Sequence, residues 1–95
     1  MMKIEINSKS DCPYCKYAKK YLDERGIPYE EFVHDDYDER QKMYASLNLA
    51  ENQRTVPQII LVENDGTRVR IGGFDELVQS DLADRWAAGN FDADF

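Results

Sequence analysis

The chain contains only two cysteines, and they stand three residues apart in Cys12-Pro13-Tyr14-Cys15. A bridge between them closes a tiny loop and adds little stability, because little chain entropy is removed. Small secreted domains held together by disulfides carry more cysteines, spread along the chain. The value of this pair is therefore expected to lie in its reactivity. It constrains the fold as well, because a short strand precedes it and a helix follows it.

Lys3–Asn7 reads as that strand, with Ile4 and Ile6 on one face, and Ser8–Asp11 as a polar loop. A helix begins near Pro13, since proline suits a first helical turn. Cys15, Ala18 and Leu22 recur along it at helical spacing, and Arg25-Gly26-Ile27-Pro28 ends it. Tyr29–His34 is a second strand. Asp35 to Asp38 offer N-caps for a second helix whose apolar side holds Met43, Tyr44 and Leu47. A polar loop over Asn48–Thr55 leads into Val56–Val62, whose Ile59–Val62 run predicts a strand buried on both faces. Glu63-Asn64-Asp65-Gly66 is a hairpin turn. Thr67, Val69 and Ile71 then alternate with Arg68 and Arg70 as in a half-exposed edge strand. After the break at Gly72-Gly73, one last helix starts near Phe74, with Leu77, Val78, Leu82 and Trp86 facing inward. Gly89–Phe95 reads as a frayed acidic tail.

The order is βαβαββα. The first βαβ unit requires a right-handed crossover between parallel strands, and the hairpin joins the same sheet. The expected fold is an α/β three-layer α/β/α sandwich on a four-stranded mixed sheet. Its domain spans residues 1–88, followed by a tail over 89–95.

At the junction of first strand and first helix, the cysteine spacing has a chemical reason. The thiolate is the reactive form. Cys12, just before the helix, meets unpaired N–H groups and the positive end of the helix dipole. Lys9 adds positive charge, whereas Asp11 opposes a thiolate. Cys12 is expected to attack a substrate disulfide, and Cys15, one turn on and less exposed, to resolve the mixed disulfide. A structural zinc site needs four ligands. His34 is the only other strong ligand candidate and reads as a surface residue at a strand end, so no metal is expected.

Twelve basic residues stand against 19 acidic ones, a formal charge of -7. That balance argues against nucleic acid and anionic membrane surfaces. No apolar run approaches the roughly 18 residues of a membrane helix. The N-terminus lacks a signal peptide's apolar stretch, so a cytoplasmic protein is expected, and separately a monomer.

Three stretches occur in a telling order: Ser8-Lys9-Ser10-Asp11-Cys12-Pro13-Tyr14-Cys15, Thr55-Val56-Pro57-Gln58 and Ile71-Gly72-Gly73-Phe74-Asp75-Glu76-Leu77. Together they resemble the glutaredoxin family, in its dithiol form, over nearly the whole chain to about Ala88. The resemblance implies a thioredoxin fold, no permanently bound cofactor, and glutathione as reducing co-substrate. By this resemblance Cys12 is the nucleophile and Cys15 the resolving cysteine. Lys9 and Arg54 lie near the glycine carboxylate of glutathione, and Tyr14 flanks the site. Thr55 and Val56 precede a cis-proline, Pro57, and the Val56 backbone pairs with the glutathione cysteine. Gly73, Phe74 and Asp75 hold the γ-glutamyl end. Phe74 stands where many members have a small residue or cysteine. The implied reaction is glutathione-dependent reduction of disulfide-containing or glutathionylated proteins. Two alternatives in the family are an electron donor to ribonucleotide reductase recharged by thioredoxin reductase, and a glutathione-ligated [2Fe–2S] carrier. A non-enzymatic interaction module on the same fold is a third.

Overall fold

A computed structural model describes residues 2–88; the tail expected over 89–95 lies outside them. The elements are β1 (Lys3–Ser8), α1 (Pro13–Glu24), β2 (Glu30–Val33), α2 (Tyr37–Ser46), β3 (Gln58–Val62), β4 (Arg68–Gly72), α3 (Phe74–Gln79) and α4 (Leu82–Ala87). The strands form one sheet in the order β2-β1-β3-β4. β1 runs parallel to β2, and the other two pairings are antiparallel. This is the four-stranded mixed sheet with helices expected from the sequence.

Strand alternation sorts the residues of β1 and β3 onto two unlike faces. Ile4, Ile6, Ile59 and Leu61 form a dry core with Ala18 and Leu22 of α1, Ile27, Leu77 of α3 and Leu82 of α4. Full burial of each large aliphatic side chain contributes roughly 1.5–3 kcal/mol. The register puts Glu5 opposite Glu30 and Ile60, and Asn7 opposite Phe32 and Gln58. This second face is polar: Glu5, 8% exposed, bonds Arg68 at 2.7 Å and has Lys3 at 3.8 Å. Such pairing is what lets a carboxylate be buried there. Of the Ile59–Val62 run expected to be buried, Ile59, Ile60 and Leu61 are buried and Val62 only partly so, and one side of the strand lies against polar groups. α2 covers part of this face and brings a small apolar cluster of Met43, Tyr44 and Leu49, against which Leu47 and Val56 pack.

Several local expectations change. Ser8 is the buried last residue of β1 rather than loop, its Oγ donating to Glu31 at 2.7 Å. β2 and β3 are shorter than Tyr29–His34 and Val56–Val62, and a 3-10 turn, Glu51–Gln53, occupies the loop before β3. Val69 is 42% exposed, so only Ile71 of the edge strand packs on the core. The last helix is two helices. Leu77 and Leu82 are five positions apart, about 140° around a continuous helix, and cannot share one face. The break at Ser80, in extended backbone, brings both into the core. Ser80 Oγ donates to Leu77 O at 2.7 Å and accepts from Leu82 N at 3.3 Å, a local bond that competes with helix continuation. Val78, expected inward, is 44% exposed.

Gly72 joins β4 to α3 with φ +119, and a Cβ there would stand 3.0 Å from Glu76 Cγ. Glu76 is held in place because its Oε1 accepts the Gly73 N–H at 2.7 Å. Gly72→Ala therefore forces a strained backbone and displaces that cap. A loss of about 1–3 kcal/mol is expected, measured as a lower denaturant midpoint with an unchanged slope.

Candidate redox site and its groove

Cys12 is the N-cap of α1, in extended backbone with Pro13 directly after it. Its sulfur takes the role of a capping oxygen and accepts the Cys15 N–H at 3.1 Å. The two sulfurs are joined in a disulfide, the oxidised state of the pair. In the reduced state the same N–H and the helix dipole favour a thiolate on Cys12. Both cysteines are buried, Cys12 at 5% and Cys15 at 2% exposure, so Cys12 is only slightly the more open. Cys12 lines a cleft, however, and Cys15 does not. An incoming thiolate thus reaches Cys12. Asp11 is exposed at the rim of that cleft.

The cleft measures about 480 Å³ and is bounded by Lys9, Asp11, Cys12, Tyr14, Arg54, Thr55 and Val56 with α2 residues. A second cleft of about 300 Å³ is lined by Tyr14, Thr55, Val56, Pro57, Gly73, Phe74, Asp75 and Glu76. The two adjoin along Tyr14, Thr55 and Val56 beside the disulfide, as a two-part groove. Every residue expected at a glutathione site lines this groove. The Val56–Pro57 bond is cis, and Val56 O lies 3.7 Å from Cys12 Sγ.

The groove walls are tied by polar bonds that motif reading did not single out. Gln58, buried on the polar face, donates to Thr55 O at 2.8 Å and Gln53 O at 3.1 Å, fixing the chain before Pro57. Arg54 donates from Nε to Leu49 O at 3.2 Å and from Nη1 to Gln41 Oε1 at 3.0 Å. It is a held, half-buried group rather than a solvated loop charge. Tyr37, Arg40, Gln41 and Tyr44 of α2 line the Lys9 end. Burial holds the Tyr44 phenol above its usual value, against the lowering effect of Arg40 and Arg54. Their spacing of three and four residues, which puts them on one helix face, was the available signal. His34 lies outside the groove, with Nδ1 2.9 Å from Glu39 Oε1 and Nε2 2.9 Å from Asn7 Oδ1. Among the described residues no group of three or more His, Cys, Asp and Glu is placed to hold a metal ion.

The loop before Cys12 is clamped to the loop that follows the neighbouring strand β2. Asp35 accepts the Ser10 hydroxyl at 2.6 Å and the Ser10 N–H at 2.7 Å. These two bonds hold the Asp35 carboxyl below its ordinary value of 3.8, with Arg40 and Lys9 adding to the effect. A folded-state value lowered in this way stabilises above the unfolded value and is lost as pH falls through the folded one. The clamp is therefore complete at neutral pH and opens below about 3.8. Asp35→Ala is expected to lower the thermal midpoint at neutral pH. The gap to wild type should narrow as acid protonates Asp35, which a pH series of melts reads directly.

Comparison with known proteins places this geometry. The family model for glutaredoxin matches residues 4–65. A probable glutaredoxin of Synechocystis sp. is 34% identical over 82 residues, covering 85% of this chain and 84% of its own. Among solved structures, glutaredoxin 1 of Francisella tularensis, crystallised with cacodylate, superposes with a TM-score of 0.70 at 34% identity, over 93% of this chain and 99% of its own. A buckwheat glutaredoxin–glutathione complex superposes with a TM-score of 0.63 at 27% identity, over 93% of this chain and 71% of its own.

Proposed function

Since the chain belongs to the glutaredoxin family and is a thiol–disulfide oxidoreductase, we propose that it reduces protein disulfides and glutathione mixed disulfides at the expense of glutathione. The observation that carries this reading is the groove itself. Cys12 lines it, Lys9 and Arg54 stand at one end and Asp75 at the other, and it runs past the Val56 backbone. Glutathione is an extended tripeptide with a carboxylate at each end and an ammonium at one. Cations near Lys9 suit its glycine carboxylate, and Asp75 suits its α-ammonium. The Val56 backbone suits strand-like pairing with its cysteine. The buckwheat relative solved with glutathione supports the same ligand.

In this reading the Cys12 thiolate attacks one sulfur of the substrate disulfide, forming a mixed disulfide and releasing one substrate thiolate. Cys15 attacks the Cys12 sulfur, releases the second substrate thiol and leaves the Cys12–Cys15 disulfide. A glutathione thiolate then attacks Cys12, giving a glutathione mixed disulfide and freeing Cys15. A second glutathione attacks the glutathione sulfur, yielding glutathione disulfide and the Cys12 thiolate. Two electrons pass from two glutathione molecules to one substrate disulfide.

Lys9 tests the glutathione assignment. Lys9→Ala should raise the KM for glutathione about two- to fivefold, the worth of a partly exposed ion pair, with little change in kcat. An unchanged KM would remove Lys9 from the site.

A further inference from the structure

Beside the disulfide stands a set of aromatic rings, one of which, Tyr17, lines neither cleft of the glutathione groove. Tyr14 and Tyr17 lie one turn apart on α1, and Phe74 opens α3. Their ring centroids are 5.8 Å apart for Tyr14–Tyr17, 6.5 Å for Tyr14–Phe74 and 5.9 Å for Tyr17–Phe74. They form a closed triangle drawn from two helices. Phe74 also packs against the core and is anchored by it. Tyr14 and Tyr17 remain 57% and 52% exposed. Tyr21 continues the stripe along α1, with the Arg25 guanidinium 3.6 Å over its ring.

Exposed tyrosine rings set against a core-anchored phenylalanine are the composition of a binding surface. They offer large contact area at small entropic cost, and such residues are enriched in interface centres. Two of the three rings, Tyr14 and Phe74, also line the groove that leads to Cys12. A chain delivering a disulfide to Cys12 through that groove meets the triangle. Glutathione is hydrophilic and has no apolar side chain to place there, whereas a protein segment has.

We propose that Tyr14, Tyr17 and Phe74 form a docking platform for protein substrates, seating an apolar or aromatic side chain on the segment that carries the target disulfide. The proposal rests on the thiol–disulfide exchange reading and adds the chemistry that selects among protein disulfides. Tyr17, outside both clefts, is its most specific member.

The test uses single turnovers of pre-reduced protein, without glutathione. Two short peptides, each closed by an internal disulfide, differ only in the residue after the second cysteine, phenylalanine or serine. Wild type should reduce the phenylalanine peptide about fivefold faster, the scale of one aromatic contact. Tyr17→Ser should erase that preference, Tyr17→Phe should keep it, and neither should alter the rate with 2-hydroxyethyl disulfide. Equal rates for both peptides in wild type would overturn the platform. So would a preference that survives Tyr17→Ser, or a Tyr17→Ser variant slowed on 2-hydroxyethyl disulfide as well. Self-association that Tyr17→Ser abolishes, without any peptide preference, would assign the rings to a second copy and overturn it too. Failure to reduce any disulfide would instead strike at the exchange reading itself.

Discussion

Replacing Cys12 with serine is expected to reduce exchange with every disulfide to background while leaving the fold intact. A serine hydroxyl is not ionised near neutral pH and cannot replace a thiolate as nucleophile in this exchange. It is, however, a good N-cap, so it can accept the Cys15 N–H that the Cys12 sulfur now accepts at 3.1 Å. The bridge it removes closes a loop of sequence separation 3, too small to matter much for stability. An inactive Cys12→Ser variant with a near-native melting transition would therefore report on chemistry alone. Residual turnover of protein disulfides would contradict the role of Cys12.

Cys15→Ser is expected to divide the activity in two. Cys12 keeps its capping N–H and its place in the groove, so reduction of a glutathionylated peptide should stay within a few fold of wild type. Reduction of an internal protein disulfide should fall about 10- to 100-fold. Cys15 sits within bonding distance of Cys12 and acts at an effective concentration above that of free glutathione. Without it, the first mixed disulfide waits for a thiol from solution. Accumulation of that mixed disulfide, seen as added mass on the protein, is the accompanying signature. Equal loss on both substrates would contradict a resolving role.

Much of this was legible in the residues. The βαβ start, the capping position of Cys12 and the hairpin after β3 follow from local chemistry: Pro13 at a first turn, Gly26 at a positive φ of 66, and Asn64-Asp65-Gly66 between strands. The groove was legible only through the order of three motifs, because its members come from separate loops joined by folding. What was missed has a common cause. The break at Ser80 depends on Leu77 and Leu82 both reaching one core, a tertiary demand that overrides a helical pattern. The polar second face of the sheet is foreshadowed in β1, where Glu5 and Asn7 alternate with Ile4 and Ile6, but its neighbours come from register, which sets Glu5 beside Ile60 and Asn7 beside Gln58. Tyr17 stands beside the buried stripe Cys15, Ala18 and Leu22, and its nearness to Phe74 of α3 arises only on folding. Tyr14, Tyr17 and Tyr21 carry the same spacing one position earlier. Gln58 and Arg54 act through backbone carbonyls that a motif cannot name.

Glutathione-driven reduction of the Cys12–Cys15 disulfide tests the account most directly. Oxidised protein is mixed with glutathione, glutathione reductase and NADPH, and the two protein thiols are counted by alkylation; thioredoxin reductase with NADPH replaces the glutathione system in a parallel reaction. The groove chemistry predicts that glutathione releases both thiols through a transient adduct on Cys12, with thioredoxin reductase far slower. A disulfide that resists glutathione but yields readily to thioredoxin reductase would contradict the proposed function.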